Sequence, residues 1–117
     1  MGEGRSGSGV LLRIRPNEDV CTAVEETCSE YGIEKAQVYG IGSIFEPSFE
    51  DGRRIPCLAT EIAIENGRVE QVAGGPKATI DTAVVDVEGK TYHGRLKRGD
   101  NPVGVTFELV IVAGGVD

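Results

Sequence analysis

Residues 76–96 read "PKATIDTAVVDVEGKTYHGRL", and the turn in the middle of this stretch decides which side chains share a face. If Val87, Glu88 and Gly89 form a three-residue loop, with Gly89 in the left-handed position that closes a bulged hairpin, Asp86 pairs with Lys90. Counting outward then sets Asp81 opposite Arg95, Ala83 opposite His93 and Thr79 opposite Lys97. All six point to one face, and Ile80, Val84, Tyr92 and Leu96 point to the other. A two-residue loop would separate Asp81 from Arg95, because a one-residue slip inverts a strand. The glycine favours the first register. It predicts strands over 78–86 and 91–97 with a polar row of Thr79, Asp81, His93 and Arg95. Taken from the residues alone, such a row reads as an exposed cross-strand ion pair contributing about 0.2–1 kcal/mol.

Outward from this hairpin the chain continues the same theme. Residues 103–112 alternate, with Val103, Val105, Phe107, Leu109 and Ile111 marking one buried face. Upstream, 58–64 reads as a strand that Asn66-Gly67 would turn into a second one over 68–72, and Gly74-Gly75-Pro76 breaks the chain again. Residues 36–49 form a long extended segment interrupted by Gly40 and Gly42. These glycines suggest a bulge or a close backbone approach, since Phe45 stands where a dinucleotide fingerprint needs a third glycine. Residues 10–15 (VLLRIR) make a first strand, ended by Pro16. Asn17 is the expected N-cap of a helix with Glu18 and Asp19 in its first turn and Gly32 as its stop. Val20, Val24, Thr27, Cys28 and Tyr31 give that helix its buried stripe, with Glu25, Glu26, Ser29 and Glu30 outside it.

The fold class is therefore α+β: a mostly antiparallel sheet with one long N-terminal helix packed on it. Residues 10–113 form a single domain between tails at 1–9 and 114–117. The leader Met1-Gly2-Glu3-Gly4-Arg5-Ser6 formally matches a myristoylation pattern, but its Gly/Ser composition reads as a flexible tail. One helix cannot cover a sheet of six or seven strands, so the free sheet surface is expected to meet other copies of the chain.

Composition narrows the function. The chain of 117 residues has 19 acidic against 12 basic residues, a formal charge of −7. Such a surface repels phosphate backbones on average. Three cysteines, Cys21, Cys28 and Cys57, with no Cys-x-x-Cys pair, argue against a disulfide framework and imply a reducing, cytoplasmic setting. Cys21 and Cys28, seven residues apart on the helix, are beyond disulfide reach and read as small core residues. No apolar run is long enough to span a bilayer. Arg98-Gly99-Asp100 matches an adhesion motif, but in a hairpin turn of such a chain it reads as coincidence.

Four further stretches, "RPNEDV" (15–20), "GIEKAQVYGIGSI" (32–44), "EIAIENGRV" (61–69) and "HGRLKRGDNPVGVTFELVIV" (93–112), occur in an order and spacing that resembles the PPC domain of plants and prokaryotes. That domain occurs as stand-alone bacterial proteins and beside AT-hooks in plant nuclear proteins. The resemblance runs from about residue 10 to 113. It implies a homotrimer assembled through the sheets and a topology related to acetolactate decarboxylase, a metal-dependent lyase. Many bacterial members carry His-x-His on one strand and a third histidine on the next, a set suited to zinc with an open coordination position. Laid over 76–96, that pattern puts Thr79 and Asp81 at the first two histidine positions and Arg95 at the third. His93 keeps the face but lies two residues, about 7 Å, along the strand.

The resemblance thus implies a degenerate metal site: arginine cannot ligate a cation, and its charge beside Asp81 neutralises the carboxylate. No metal and no cofactor are expected, and a remnant site using Asp81, His93 and Glu61 is disfavoured by Arg95 between them. The expected function is a non-catalytic homotrimeric module in a DNA-associated or regulatory assembly. Direct DNA binding is weakly supported, because the AT-hook core Arg-Gly-Arg-Pro is missing and Arg13-Ile14-Arg15-Pro16 has isoleucine in the glycine's place. The alternative is a small anionic-metabolite-binding protein, or a metal-independent enzyme, using Thr79, Asp81, His93 and Arg95 as its ligand-binding residues.

Overall fold

The computed structural model describes residues 2–6 and 9–114. Seven antiparallel strands form one sheet: β1 (Gly2–Ser6), β2 (Gly9–Ile14), β3 (Ala36–Phe45), β4 (Leu58–Val72), β5 (Gly75–Val85), β6 (Thr91–Arg95) and β7 (Val103–Ala113). The order across the sheet is β1-β2-β7-β3-β4-β5-β6. Helix α1 (Val20–Tyr31) lies between β2 and β3 in the chain and packs mainly against β5. An α+β architecture of mostly antiparallel sheet and one helix is what the sequence patterning predicts.

The helix is shorter than expected, at 12 residues. Asn17 is not its N-cap. After Pro16 the chain turns tightly, with Asn17 at φ 72°, so it lacks the extended backbone a cap needs. Asp19 takes the position at φ −76° and ψ 134°, and its carboxylate accepts from the Thr22 N–H at 2.9 Å. Gly32 ends the helix as expected, with its N–H bonded to the Cys28 and Ser29 carbonyls.

Two strand expectations fail in an instructive way. Asn66-Gly67 makes no hairpin: neither residue has a positive φ, and β4 runs through them with a bulge between Ile64 and Asn66. A type I′ turn would need positive φ at both. The strand continues because it is paired on both sides, Val69 with Ala36 of β3 and with Ala78 of β5. The reversal falls instead at Ala73-Gly74, so that Val72 pairs with Gly75. The second failure is Val105, expected on the buried face but 60% exposed. The β3–β7 ladder shifts between Gly42 and Ile44, and the Ser43 hydroxyl accepts from the Val105 N–H at 2.8 Å, which swings this part of β7 out of alternation.

The leader expectation also changes. Gly2–Ser6, within the stretch read as a tail, pairs with β2, because a ladder uses backbone groups and needs no apolar pattern. Met1, residues 7–8 and residues 115–117 lie outside the described residues, so the tail expected at 114–117 is tested only at Gly114, whose N–H donates to the Lys35 carbonyl at 2.8 Å.

One face of the sheet is closed. Leu12 and Ile14 of β2, Phe107, Leu109 and Ile111 of β7, Ile44 of β3, and Ile80 and Val84 of β5 pack with Val20, Val24 and Cys28 of α1. The other face is open and carries Leu11, Tyr39 and Ile41 at 61%, 56% and 68% exposure. Ladder pairing aligns Leu11, Val110 and Tyr39 across β2, β7 and β3. The outer edge of β6 is covered by the chain between β3 and β4. There the Glu50 N–H donates to the Arg95 carbonyl, Arg53 Nη2 donates to the His93 carbonyl, and Phe49 lies against Gly94, where even a methyl group would come within 2.6 Å of the ring. This seals part of an edge that would otherwise offer free backbone groups.

Candidate functional site

The β5–β6 hairpin positions the site, and its register is the predicted one. Gly89 sits at φ 84°, the Asp86 N–H donates to the Lys90 carbonyl at 2.9 Å, and the Gly89 N–H donates to the Asp86 carbonyl at 3.0 Å. Asp86 Oδ1 also accepts from the Glu88 and Lys90 N–H groups, which holds its carboxyl below the usual carboxylate range. Asp81 consequently pairs with Arg95 and Ala83 with His93. The strand ends at Arg95, before Lys97 could pair with Thr79; the Lys97 N–H donates instead to the Ser48 carbonyl.

On the open face Arg95 grips Asp81 with two donors, Nε to Oδ1 at 2.8 Å and Nη2 to Oδ2 at 3.3 Å. Arg68 approaches from β4, its Nη1 3.6 Å from Asp81 Oδ2. Sequence reasoning missed Arg68, because a hairpin at Asn66-Gly67 would have carried it onto a separate strand. The bulge between Ile64 and Asn66 brings it back: Asn66 pairs with Asp81 and Arg68 with Thr79. Thr79 therefore sits beside Arg68, one step along β5 from the ion pair. The hydrogen bond from Arg95 and the charges of Arg95 and Arg68 hold the Asp81 carboxyl below its ordinary range against the opposing effect of its partial burial.

His93 does not join this cluster. Its Nδ1 lies 2.8 Å from Oε1 of Glu65, a β4 residue at the same bulge, and both side chains are exposed. The structure thus places the four predicted residues on one face but divides them into two contacts, Asp81 with Arg95 and Arg68, and His93 with Glu65. Asp81 is a carboxylate already bonded to a guanidinium, so it is a poor proton donor or acceptor for another molecule. Of the three cysteines, Cys21 and Cys28 are buried in the core, where desolvation raises both thiols, Cys28 to about 11, and makes them poor nucleophiles; Cys57 is half-buried.

The turn after β6 is equally committed. Arg98 Nε donates to the buried carboxylate of Glu25 at 2.6 Å, and Asp100 Oδ2 accepts from the Ser48 hydroxyl and from Arg54 Nη2. Both charged members of the Arg-Gly-Asp triplet therefore serve the fold. The same holds for Arg53, which pairs with Asp51 at 2.8 Å.

Known structures share this fold. A Bacteroides thetaiotaomicron protein provisionally described as DNA-binding superposes with a TM-score of 0.78 at 16% identity, covering 98% of this chain and 85% of that one. A Pyrococcus horikoshii plant- and prokaryote-conserved protein gives 0.72 at 23%, covering 99% and 83%. A metal-containing protein from Archaeoglobus fulgidus gives 0.68 at 24%, covering 95% and 83%. No curated protein sequence matches significantly. At such identities the superpositions speak to the fold. Membership comes from the sequence itself: the family description of the Plants and Prokaryotes Conserved (PCC) domain matches residues 1–114, and the chain belongs to that family.

Proposed function

We propose that this chain is a non-catalytic, homotrimeric module of a DNA-associated or regulatory assembly in a bacterial cytoplasm, with an ion pair standing where other members hold a metal. The observation that carries the reading is the Asp81–Arg95–Arg68 cluster. Two guanidiniums converge on one carboxylate, so a divalent cation there would have to displace a bidentate arginine and tolerate a second one nearby. Thr79 adds only a hydroxyl. The exposed apolar residues of β2 and β3 support self-association, since a monomer would leave them in water.

DNA association draws its support from the provisional description of the Bacteroides relative. Direct contact with phosphates is the weaker form of it: the net charge is −7, and Arg53, Arg54, Arg68, Arg95 and Arg98 are each paired to carboxylates within the chain. A role through a partner fits better. A second reading is favoured by one feature: Arg68 Nη1 is buried and makes no hydrogen bond. That donor, beside Arg95, is one a small anionic metabolite would accept from, while the charge of Arg68 is shared between Asp81 and Glu70, whose Oε1 lies 3.8 Å from Arg68 Nε.

Light scattering after size exclusion tests the first reading, with a three-copy mass expected and a monomer at micromolar concentration overturning it. A mobility-shift titration in physiological salt addresses DNA; tight binding by the isolated chain would show that the arginine pairing is not decisive. Thermal shifts with acidic metabolites, lost in Arg95→Ala, would favour the anion-binding reading.

A further inference from the structure

Asn66-Gly67 is a reactive pair held in an unreactive setting. The Gly67 amide nitrogen, on losing its proton, can attack the side-chain carbonyl carbon of Asn66; the new N–C bond closes a five-membered succinimide and ammonia leaves. Water then opens the ring to aspartate or to its isoaspartyl isomer, in which the main chain runs through the former side chain. The overall change consumes water, releases ammonia and needs no other reactant. Glycine promotes it because no side chain hinders its nitrogen. Of the other two asparagines, Asn17 precedes a glutamate and Asn101 a proline, whose nitrogen has no proton to lose.

The fold needs glycine at 67 for a separate reason. Gly67 is buried, and a Cβ there would come within 2.7 Å of the Val38 carbonyl oxygen and 2.9 Å of Ile64 Cγ2. The vulnerable pair is therefore built into β4 by packing rather than by a turn. The backbone protects it. β4 lies between β3 and β5; Gly67 pairs with Val38 on one side and Ile80 on the other, and Asn66 pairs with Asp81. Ring closure requires the Gly67 nitrogen to swing toward the Asn66 side chain, out of the extended range that a strand holds. Asn66 is exposed, so access of water does not limit the reaction. We propose that Asn66 is a latent modification site: it deamidates only when β4 leaves the sheet, and the isoaspartyl product, one main-chain atom longer, cannot resume both ladders in register. One opening thus makes the next easier. A second copy lying over the open face would only add to the protection, so the proposal stands apart from the assembly.

Peptide mapping by mass spectrometry of the purified chain in mildly alkaline buffer tests this, read as the mass gained when the amide becomes a carboxyl. In denaturing urea Asn66 should be the main site modified. In the folded chain the same change should be at least about a thousandfold slower, as an opening that involves the whole sheet implies. Asn101→Ala removes contacts to Ser48 and Lys97, away from β4, and should speed deamidation of the folded chain in proportion to its unfolding constant. Wild type in urea below its unfolding transition gives the same test without a variant. Refolded chains carrying isoaspartate should unfold at a lower urea concentration than unmodified ones. Failure of Asn66 to react in denaturing urea would dispose of the site. Modification of the folded chain as fast as the unfolded one, or at a rate indifferent to the unfolding constant, would overturn the gating by β4. An unchanged urea midpoint in the isoaspartyl chain would overturn the weakening of the strand.

Discussion

Glu25 is a charged residue that the helix turns inward, with only 7% of it exposed. Its Oε2 accepts from the Ala78 N–H at 2.9 Å and its Oε1 from Arg98, so one side chain ties the middle of α1 to the start of β5 and to the turn after β6. Glu25→Ala would leave a buried backbone donor unpaired and should cost about 2 kcal/mol, measured by urea unfolding; Glu25→Gln keeps an acceptor and should cost about 1 kcal/mol. Equal losses in the two would mean that the Ala78 contact contributes nothing. Asp81 gives a pH test. Its carboxyl lies lower in the folded chain than its unfolded value of about 3.9, so its stabilising effect is complete above that value and disappears as the pH falls through the folded one. Asp81→Asn should therefore lower stability at neutral pH and flatten the decline below about pH 4. An acid limb of unchanged steepness would remove Asp81 from the account.

At the scale of elements, β4 organises the sheet. Its 15 residues pair with β3 on one side and β5 on the other, and its bulge at Asn66 delivers Glu65 to His93 and Arg68 to Asp81. The chain linking β3 to β4 is held by Asn101, which is fully buried. The Asn101 side chain accepts from the Ser48 N–H and donates to the Ser48 and Lys97 carbonyls, while its own N–H donates to the Asp19 cap. Asn101→Ala would strand those groups and should destabilise the fold by about 3 kcal/mol in a denaturant titration. It should also speed hydrogen exchange at the Ser48 and Glu50 amides, where the edge of β6 is sealed. Unchanged exchange would mean that the segment holds its place without Asn101. Much of this level was legible beforehand. Most of the strand alternation, most of the helix stripe and the Gly89 hairpin are local patterns that appear where their period places them; Val105, expected buried, is exposed, and Glu25, expected outside the stripe, is buried. Asn66-Gly67 was not legible, because a turn signal between two apolar runs is overridden when both flanking ladders continue through it.

For the whole molecule the open sheet face sets the behaviour. Leu11, Tyr39 and Ile41 lie on the side of the sheet away from α1, and a single helix leaves that side to solvent or to another chain. If assembly uses it, Ile41→Lys should bring the mass in light scattering down to that of one chain while the circular dichroism spectrum stays that of the wild type. A variant that keeps the wild-type mass would show that the contacts lie elsewhere.

The candidate site was half legible. Asp81 and Arg95 could be paired on paper because a hairpin register depends on one turn, and Gly89 determines that turn. Arg68 and Glu65 could not, since their positions depend on a bulge whose existence is settled by pairing with β3 and β5 together. The sequence by itself determined most of the strands, though neither β1 nor the unbroken length of β4, together with the single helix, the acidic composition, the family and the Asp81–Arg95 contact, all of which rest on short-range patterns, composition or one tight turn. Only the tertiary structure decided that Glu25 is buried, that the Arg-Gly-Asp turn belongs to the fold, and that Ile41, Ala63 and Ala83 line a common trough. Those facts depend on which strands become neighbours, and strand order joins residues far apart in the chain through contacts that no local pattern encodes.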